Sequence, residues 1–231
     1  MTPSMQKVLI VGASRGIGLE FVRQYRAAGA AVTATAREDE GLARITVLGA
    51  QALRLDVSNA AAAAALAWPS EGGRLEGERF DVVVLNAGLF GPRSDGLEPP
   101  SQADFDAVMH TNVLGAMRLL PQVVPALAPG ARLAVISSRM GSIGLRASPA
   151  GWLYRASKAA LNSVLKDASL VLAGRAVCVA FHPGWVRTDM GGAGADLDVA
   201  TSVADMRRTL AALKPADNGC FFNHDGQPLA W

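Results

Sequence analysis

The stretch Lys7–Gly18, KVLIVGASRGIG, decides how the rest of the chain is read. Lys7–Val11 is an apolar run of strand length. Gly12, Gly16 and Gly18 follow at the spacing G-x-x-x-G-x-G. Beyond them Ile17, Phe21, Val22, Tyr25 and Ala28 recur at helical spacing, and Gly29 stands where a C-cap falls. A strand that turns tightly into a helix aims free N–H groups and the positive end of the helix dipole at one place. Such a place binds an anion, typically the pyrophosphate of a dinucleotide. Glycine is required where a Cβ would block the turn or the approach of the phosphate. With 24 glycines in the chain, three at this spacing also arise without function. The strand before them and the helix after them make Gly12, Ser14, Arg15, Gly16, Ile17 and Gly18 a candidate cofactor loop.

A chain of 231 residues, half of them hydrophobic and 18% charged, suffices for one α/β domain with a sizeable core. The net charge of +2 gives no reason to expect a nucleic-acid partner. Met1–Gln6 is polar and the apolar run behind it is broken by Gly12, unlike a secretory signal. No uninterrupted apolar segment reaches membrane-spanning length, so no membrane partner is expected. Cys178 and Cys220 lie in the apolar contexts VCVAF and GCFF and read as buried, reduced thiols of a cytoplasmic protein. No metal site is assigned.

Further strands are expected at Ala30–Ala36, Gln51–Leu55, Phe80–Leu85, Arg132–Ile136, Ala176–Phe181 and Gly219–Phe222. Helices are expected at Gly41–Leu48, at the alanine-rich run Ala60–Trp68 capped by Ser58 or Asn59, and at Ser101–Leu127, Trp152–Leu172 and Val199–Leu213. Ser101 and Asp104 resemble a capping box, and Pro121 is expected to kink or interrupt its helix. Glu71–Arg79 reads as a surface loop. Strands alternating with helices throughout imply a single-domain, doubly wound parallel sheet of Rossmann type, about seven strands with helices on both faces. Ligands of such sheets sit beyond the C-terminal strand ends. The polar clusters Gly12–Gly18, Arg37, Asp56, Asn86–Gly88, Ser137–Ser138 and His182–Asp189 all fall on that rim.

Tyr154 and Lys158 are four residues apart, on one helical face. A buried ammonium beside a phenol lowers the phenol's pKa and readies it to exchange a proton with a substrate oxygen. Taken alone, the pair also reads as a surface tyrosine with an unrelated lysine. Ser138 can donate a hydrogen bond to the same oxygen, or simply cap its strand end. Asn112 interrupts a helical run and by itself reads as a kink or cap.

These pieces together resemble the short-chain dehydrogenase/reductases along nearly the whole chain. The matching elements are Gly12-x3-Gly16-x-Gly18, Leu55-Asp56-Val57, Asn86-Ala87-Gly88, Asn112-Val113, Ser137-Ser138, Tyr154-x3-Lys158 and Pro183-Gly184 leading to Thr188. The Arg15–Gly18 helix start, the spacing Y-R-A-S-K and the ending Asp225–Trp231 look most like small bacterial carbonyl reductases related to C-factor and the sniffer-type enzymes. The resemblance implies Tyr154 as general acid in reduction and base in oxidation, with Lys158 lowering its pKa and holding the nicotinamide ribose. It implies that Ser138 positions the substrate oxygen and that Asn112 supports a water linking Lys158 to solvent. It places Asp56 and Val57 at the adenine and Asn86, Ala87 and Gly88 along the adenosine. It implies that Thr188 and neighbouring backbone meet the nicotinamide carboxamide, with Pro183, Gly184 and Val186 also among the cofactor-binding residues. The interval from Ser138 to Tyr154 is longer than the family's usual spacing, and Ser142 is the fallback for the serine. The resemblance also implies a homodimer or homotetramer formed through Ser101–Leu127 and Trp152–Leu172, whose outer faces carry Met117 and Leu170.

Arg37 closes the second strand where an acidic residue would favour NAD, and Arg15 lies within the glycine loop. NADP(H) is expected, with NAD(H) as the alternative. Phe90, Ser142, Ile143, Trp152, Trp185 and Met190 are the expected pocket wall and favour an apolar or aromatic small-molecule carbonyl or alcohol. Residues 189–214 are expected as a substrate-side loop or lid, with Gly191–Gly194 flexible. The reaction expected is NADP(H)-dependent interconversion of a carbonyl and an alcohol. A dinucleotide-sensing or signalling protein on the same fold is the alternative.

Overall fold

The computed structural model describes residues 5–64 and 79–231. Seven strands form one sheet in the order β3-β2-β1-β4-β5-β6-β7. They are β1 (Lys7–Val11), β2 (Ala31–Ala36), β3 (Gln51–Arg54), β4 (Phe80–Leu85), β5 (Leu127–Ile136), β6 (Ala176–His182) and β7 (Cys220–Asn223). Every pairing is parallel. The chain winds outward from β1 to β3, then returns to pair β4 on the other side of β1. That reversal opens a crevice at the C-terminal ends of β1 and β4.

Strands this apolar are stable only when both faces are covered. One face is sealed by α1 (Gly16–Ala27), α2 (Asp39–Val47) and α7 (Val199–Ala212), through Phe21, Ile45, Val203 and Met206. The other is sealed by α3 (Ala60–Ala64), α5 (Gly115–Val123) and α6 (Trp152–Val171), through Ala63, Leu119, Leu161 and Leu165. Phe21, Leu119, Leu165 and Met206 are among the fully buried side chains that fix these layers. The architecture is the expected doubly wound sheet.

Caps set the helix starts. Asn59, not Ser58, accepts the N–H of Ala62 at 3.0 Å. Ser101 accepts the N–H of Asp104 at 3.1 Å and donates to its carboxylate at 2.6 Å, opening α4 (Gln102–Met109). The expected helix to Trp68 is described only as far as Ala64, and the loop expected at Glu71–Arg79 lies almost wholly outside the described residues.

The segment expected as one helix over Ser101–Leu127 is divided, though not at Pro121. Helix α5 runs through Pro121 to Val123. The irregular turn is a π-helical one at His110–Leu114, centred on Asn112. Single π turns inside α-helices re-aim one side chain, and this one turns Asn112 inward, where it is 1% exposed. β5 begins at Leu127, earlier than the expected Arg132, with a shift of register between Phe80 and Val82 of β4. Cys178 and Cys220 are unpaired; the first is buried and the second half-buried. No helix among the described residues is long and apolar enough to cross a membrane.

Candidate active site

The glycine loop follows β1 directly. Gly12 has φ +84°, and a Cβ there would lie 2.7 Å from the backbone of Ala87. A Cβ on Gly18 would lie 2.1 Å from the carbonyl oxygen of Gly12. A Cβ on Gly16, at φ +54°, would meet Thr188 at 3.3 Å. The turn is therefore closed to side chains, and three segments distant in sequence converge on it. The Gly12 N–H donates to Thr35 Oγ1 at 3.1 Å, and Asn86 Nδ2 donates to the Gly12 carbonyl at 2.6 Å. Asn86 and Ala87 both donate backbone N–H bonds to the carbonyl of Val11. Helix α1 starts at Gly16, has no acidic residue in its first turn, and presents its positive end to the crevice.

Arg15, the residue before α1, is exposed and pairs with Asp189 at 2.8 Å across the crevice. Its guanidinium is thus already matched to a carboxylate of the loop after β6. Arg37 follows the last residue of β2, exposed, and its positive charge helps hold the Asp56 carboxyl below the ordinary range. Burial pushes that carboxyl the other way, and hydrogen bonds from Ser58 prevail over it. Asp39 pairs with Arg54, so it is not free to stand in for an acidic strand end. Arg44, which the sequence pattern did not single out, reaches Ser14 O at 3.2 Å from α2. The Val57 side chain is buried in the core and would touch a Cβ placed on Gly115.

The second half of the site stands where α6 passes the ends of β4 and β5. Tyr154 and Lys158 are both buried, at 7% and 3% exposure. Lys158 Nζ lies 5.7 Å from the centre of the Tyr154 ring and donates to the carbonyl of Ile136 at 2.8 Å. Ser138 follows β5, is hydrogen-bonded to the Tyr154 phenol, and accepts the N–H of Met140 at 3.1 Å. The strand-end reading of Ser138 is met by the Met140 bond, and the same hydroxyl stands against the phenol. Asn112 Oδ1 accepts the N–H of Leu89 at 2.7 Å, while its Nδ2 donates to Leu89 O and to Ser157 Oγ. A Cβ on Gly88 would lie 3.3 Å from Lys158 Nζ and 3.5 Å from Asn112 Oδ1. Gly88, Asn112 and Lys158 therefore meet at one point.

Burial drives the Tyr154 phenol up to about 12, and the hydrogen bond to Ser138 pulls it down only in part. Burial likewise brings Lys158 down to about 8. The expected lowering of the phenol's pKa does not hold for these side chains by themselves: desolvation of Tyr154 outweighs its polar partners. His182, at the end of β6, is driven down to about 4 by burial, with the neighbouring His224 and Arg139 adding to this.

Ser142 must be corrected. It is fully buried, its hydroxyl lies 2.7 Å from Ala230 O and 3.0 Å from Trp231 O, and it accepts the N–H of Leu145. It anchors the chain's last residues and has nothing left to offer a substrate. The long interval between Ser138 and Tyr154 is taken up by a 3-10 turn at Arg139–Gly141 and the loop before α6.

Of the expected wall, Phe90 is stacked on Tyr154 with centroids 4.5 Å apart. Trp152 is half-buried, and Ile143, Trp185 and Met190 are exposed at 71%, 55% and 44%. Arg93 stands 5.6 Å over the outer face of Phe90, an aromatic–cation contact not foreseen in the sequence. The substrate-side segment is shorter than expected. Of residues 189–214, the stretch 199–212 is helix α7, whose Val203, Met206 and Leu210 belong to the core. The loop that remains is tied down. Trp185 Nε1 donates to Gly191 O, Arg187 reaches Ala195 O and Asp196 O, and Val186 bridges to Leu197. Val186 is buried by that bridge, while Thr188 accepts the N–H of Gly191 and faces Gly16. Gly184 has φ +86° beside Leu197, and Pro183 O accepts the Ser202 hydroxyl at 2.6 Å.

A parallel doubly wound sheet with a glycine turn at its switch point, and a buried tyrosine–lysine pair beside it, defines a dinucleotide-dependent oxidoreductase class. The family model described as short chain dehydrogenase matches residues 6–196. The C-signal protein of Myxococcus xanthus is 38% identical over 154 residues, covering 65% of this chain and 92% of that one. The carbonyl reductase Sniffer of D. melanogaster superposes with a TM-score of 0.88 at 31% identity, covering 98% of this chain and all of that one. A carbonyl reductase from Pseudomonas aeruginosa PAO1 in complex with NADP superposes at 0.84 with 32% identity, over 99% of this chain and 100% of that one. The chain belongs to the short-chain dehydrogenase/reductase family, whose members are NAD(P)-dependent oxidoreductases acting on C=O and CH–OH groups.

Proposed function

We propose that this protein is an NADP(H)-dependent carbonyl reductase, running as an alcohol dehydrogenase in reverse, with Tyr154 as its acid and base. The convergence of Ser138, Tyr154, Lys158 and Asn112 beside the glycine turn carries the reading. The residues present fit a dinucleotide: a turn where a Cβ on Gly12 or Gly18 would clash, backed by a helix N-terminus, is shaped for a pyrophosphate. Arg37 is the residue that would hold a 2′-phosphate, and the solved Pseudomonas relative carries NADP.

The bound cofactor supplies the hydride in reduction and accepts it in oxidation. The Tyr154 phenol donates its proton to the carbonyl oxygen and recovers it in the other direction. Ser138 Oγ–H holds the same oxygen and stabilises charge as it develops. Lys158 keeps a cation beside the ring, which favours the phenolate that burial alone disfavours. Asn112 holds Leu89 through two hydrogen bonds, one from each end of its amide, and so fixes the chain between Gly88 and Phe90. Phe90, Trp152, Trp185 and Met190 favour a carbonyl with an apolar or aromatic substituent.

We also infer a homodimer or homotetramer through α4, α5 and α6, where Phe105, Met117 and Leu170 are exposed. A light-scattering mass equal to one chain overturns that inference. The two unpaired cysteines support a cytoplasmic location.

The test of function is loss of NADPH absorbance across a panel of aliphatic and aromatic carbonyls, with Tyr154→Phe as control. Turnover that vanishes in the variant while NADPH still binds supports the reading. Turnover unchanged in the variant removes Tyr154 from it. Tight NADPH binding with no turnover on any carbonyl favours a dinucleotide sensor.

A further inference from the structure

A second cluster of cations lies at the opposite end of the sheet from the glycine turn. Arg132 sits in β5 in register with Val82, on the face covered by α1 and α7. It is four residues before Ile136, whose carbonyl receives Lys158, so it lies about 13 Å down the strand from that site. Arg207 of α7 and Tyr25 of α1 face it across a cavity of about 230 Å³. Gln6, ahead of β1, stands at the exposed side of the cavity.

The charges here are not balanced. Among the described residues neither Arg132 nor Arg207 pairs with a carboxylate. Each keeps a buried Nε–H with no acceptor. Arg207 lies 4.4 Å over the Tyr25 ring, hydrogen-bonds to the Tyr25 phenol, and donates at 3.2 Å to Gln24 Oε1. Those contacts orient its guanidinium and do not neutralise it. Two partly buried guanidinium groups facing one cavity carry a desolvation cost that an anion between them would offset.

We propose that this cavity is a second ligand site, separate from the dinucleotide crevice, that takes a small oxyanion of phosphate type, free or as the phosphoryl group of a small metabolite. A planar guanidinium matches two oxygens of such a group at once, and two of them on different elements can hold it from two sides. Burial holds the Tyr25 phenol up at about 12, so it remains protonated and offers a donor. The cavity is smaller than pockets that enclose drug-sized ligands, which excludes a second dinucleotide.

The test uses the full chain saturated with NADP+, so that the dinucleotide crevice is occupied. Inorganic phosphate is titrated by calorimetry and by 31P NMR line width, against chloride at equal ionic strength. One saturable equivalent of phosphate is expected. Arg132→Gln and Arg207→Lys should each weaken it about ten- to a hundredfold while kcat and KM for NADPH stay unchanged. Arg132→Gln keeps the measurement decisive if the Arg207 variant is unstable, because Arg132 acts on Tyr25 through its charge, whereas Arg207 stacks on that ring and hydrogen-bonds to it. Phosphate that does not saturate, or that binds equally to wild type and both variants, overturns the proposal. A glucose 6-phosphate titration separates the sources: binding as tight as phosphate means a phosphoryl group on a metabolite is accepted, and no binding restricts the site to the free ion. Neither readout needs turnover, so failure here and failure of the carbonyl-reductase reading are distinguishable.

Discussion

The ring of Phe90 lies on the ring of Tyr154, with centroids 4.5 Å apart and planes inclined at 26°. Phe90 is therefore part of what keeps water from the phenol, and burial is the largest cause of its raised pKa. Phe90→Ala should admit water and lower that pKa toward the ordinary value of 10. Alcohol oxidation needs the phenolate, so its rate rises with pH through this pKa. The rising limb of kcat for oxidation should shift to lower pH in the variant, and the pH profile checks it. An unshifted limb would mean that Phe90 packs against Tyr154 without controlling its hydration.

Lys158 gives a second pH signature, in stability. Burial, which disfavours its ammonium, brings the folded pKa down to about 8 from the ordinary 10.5. Between these values the unfolded chain holds a proton that the folded chain has released, so stability rises with pH across that window. The full effect is about 3 kcal/mol. Tyr154 works the other way above pH 10, where the folded phenol keeps a proton the unfolded chain loses. The clean measurement is the difference between wild type and Lys158→Met in urea unfolding. That difference should change by about 3 kcal/mol from pH 8 to 10.5, with carbonyl reduction abolished in the variant.

Gly18 tests the turn itself. A Cβ at this position meets the Gly12 carbonyl oxygen at 2.1 Å and Asn86 Nδ2 at 2.6 Å, and the first of these is backbone that cannot swing away. Gly18→Ala should lower the melting temperature and abolish NADP(H) binding by calorimetry. Gly96→Ala is the control, since a Cβ there has nothing within 4 Å. Equal behaviour of the two variants would show that the turn can relax around a methyl group.

Much of this was legible in the sequence because local rules and the global fold agree. The apolar runs of β1, β4 and β6 and the helical spacing in α1 and α6 each demand burial on the faces they obtain. The rim residues were legible because strand ends in a parallel sheet leave one direction for polar groups to point. What escaped was tertiary. Pro121 suggested a break that tertiary packing of Leu119, Leu120 and Val123 overrides; the interruption read at Asn112 is there, but its partners Leu89 and Ser157 are not visible locally. Ser142 looked like a spare catalytic serine, because nothing local reveals that residues 230 and 231 lie on it. Arg93 over Phe90, Arg44 at Ser14 and Asp189 against Arg15 join residues from different elements, and no periodicity encodes such pairs.

The Arg15–Asp189 pair bears on which arginine reads the cofactor. Both side chains are mostly exposed, at 69% and 73%, so the pair adds little stability and is screened by salt. Its effect should appear in binding. While Asp189 holds Arg15, the charge available to a 2′-phosphate is chiefly that of Arg37. Arg37→Asp should therefore raise KM for NADPH about tenfold or more and leave KM for NADH nearly unchanged. Asp189→Asn should act oppositely, freeing Arg15 and lowering KM for NADPH at low ionic strength, with the gain disappearing above about 0.3 M salt. In the double variant, Arg15 released by Asp189→Asn should recover part of the NADPH affinity that Arg37→Asp removes. No recovery in the double variant would mean that Arg15 never reaches the phosphate, and a preference for NADH in the wild type would remove NADP(H) from the assignment altogether.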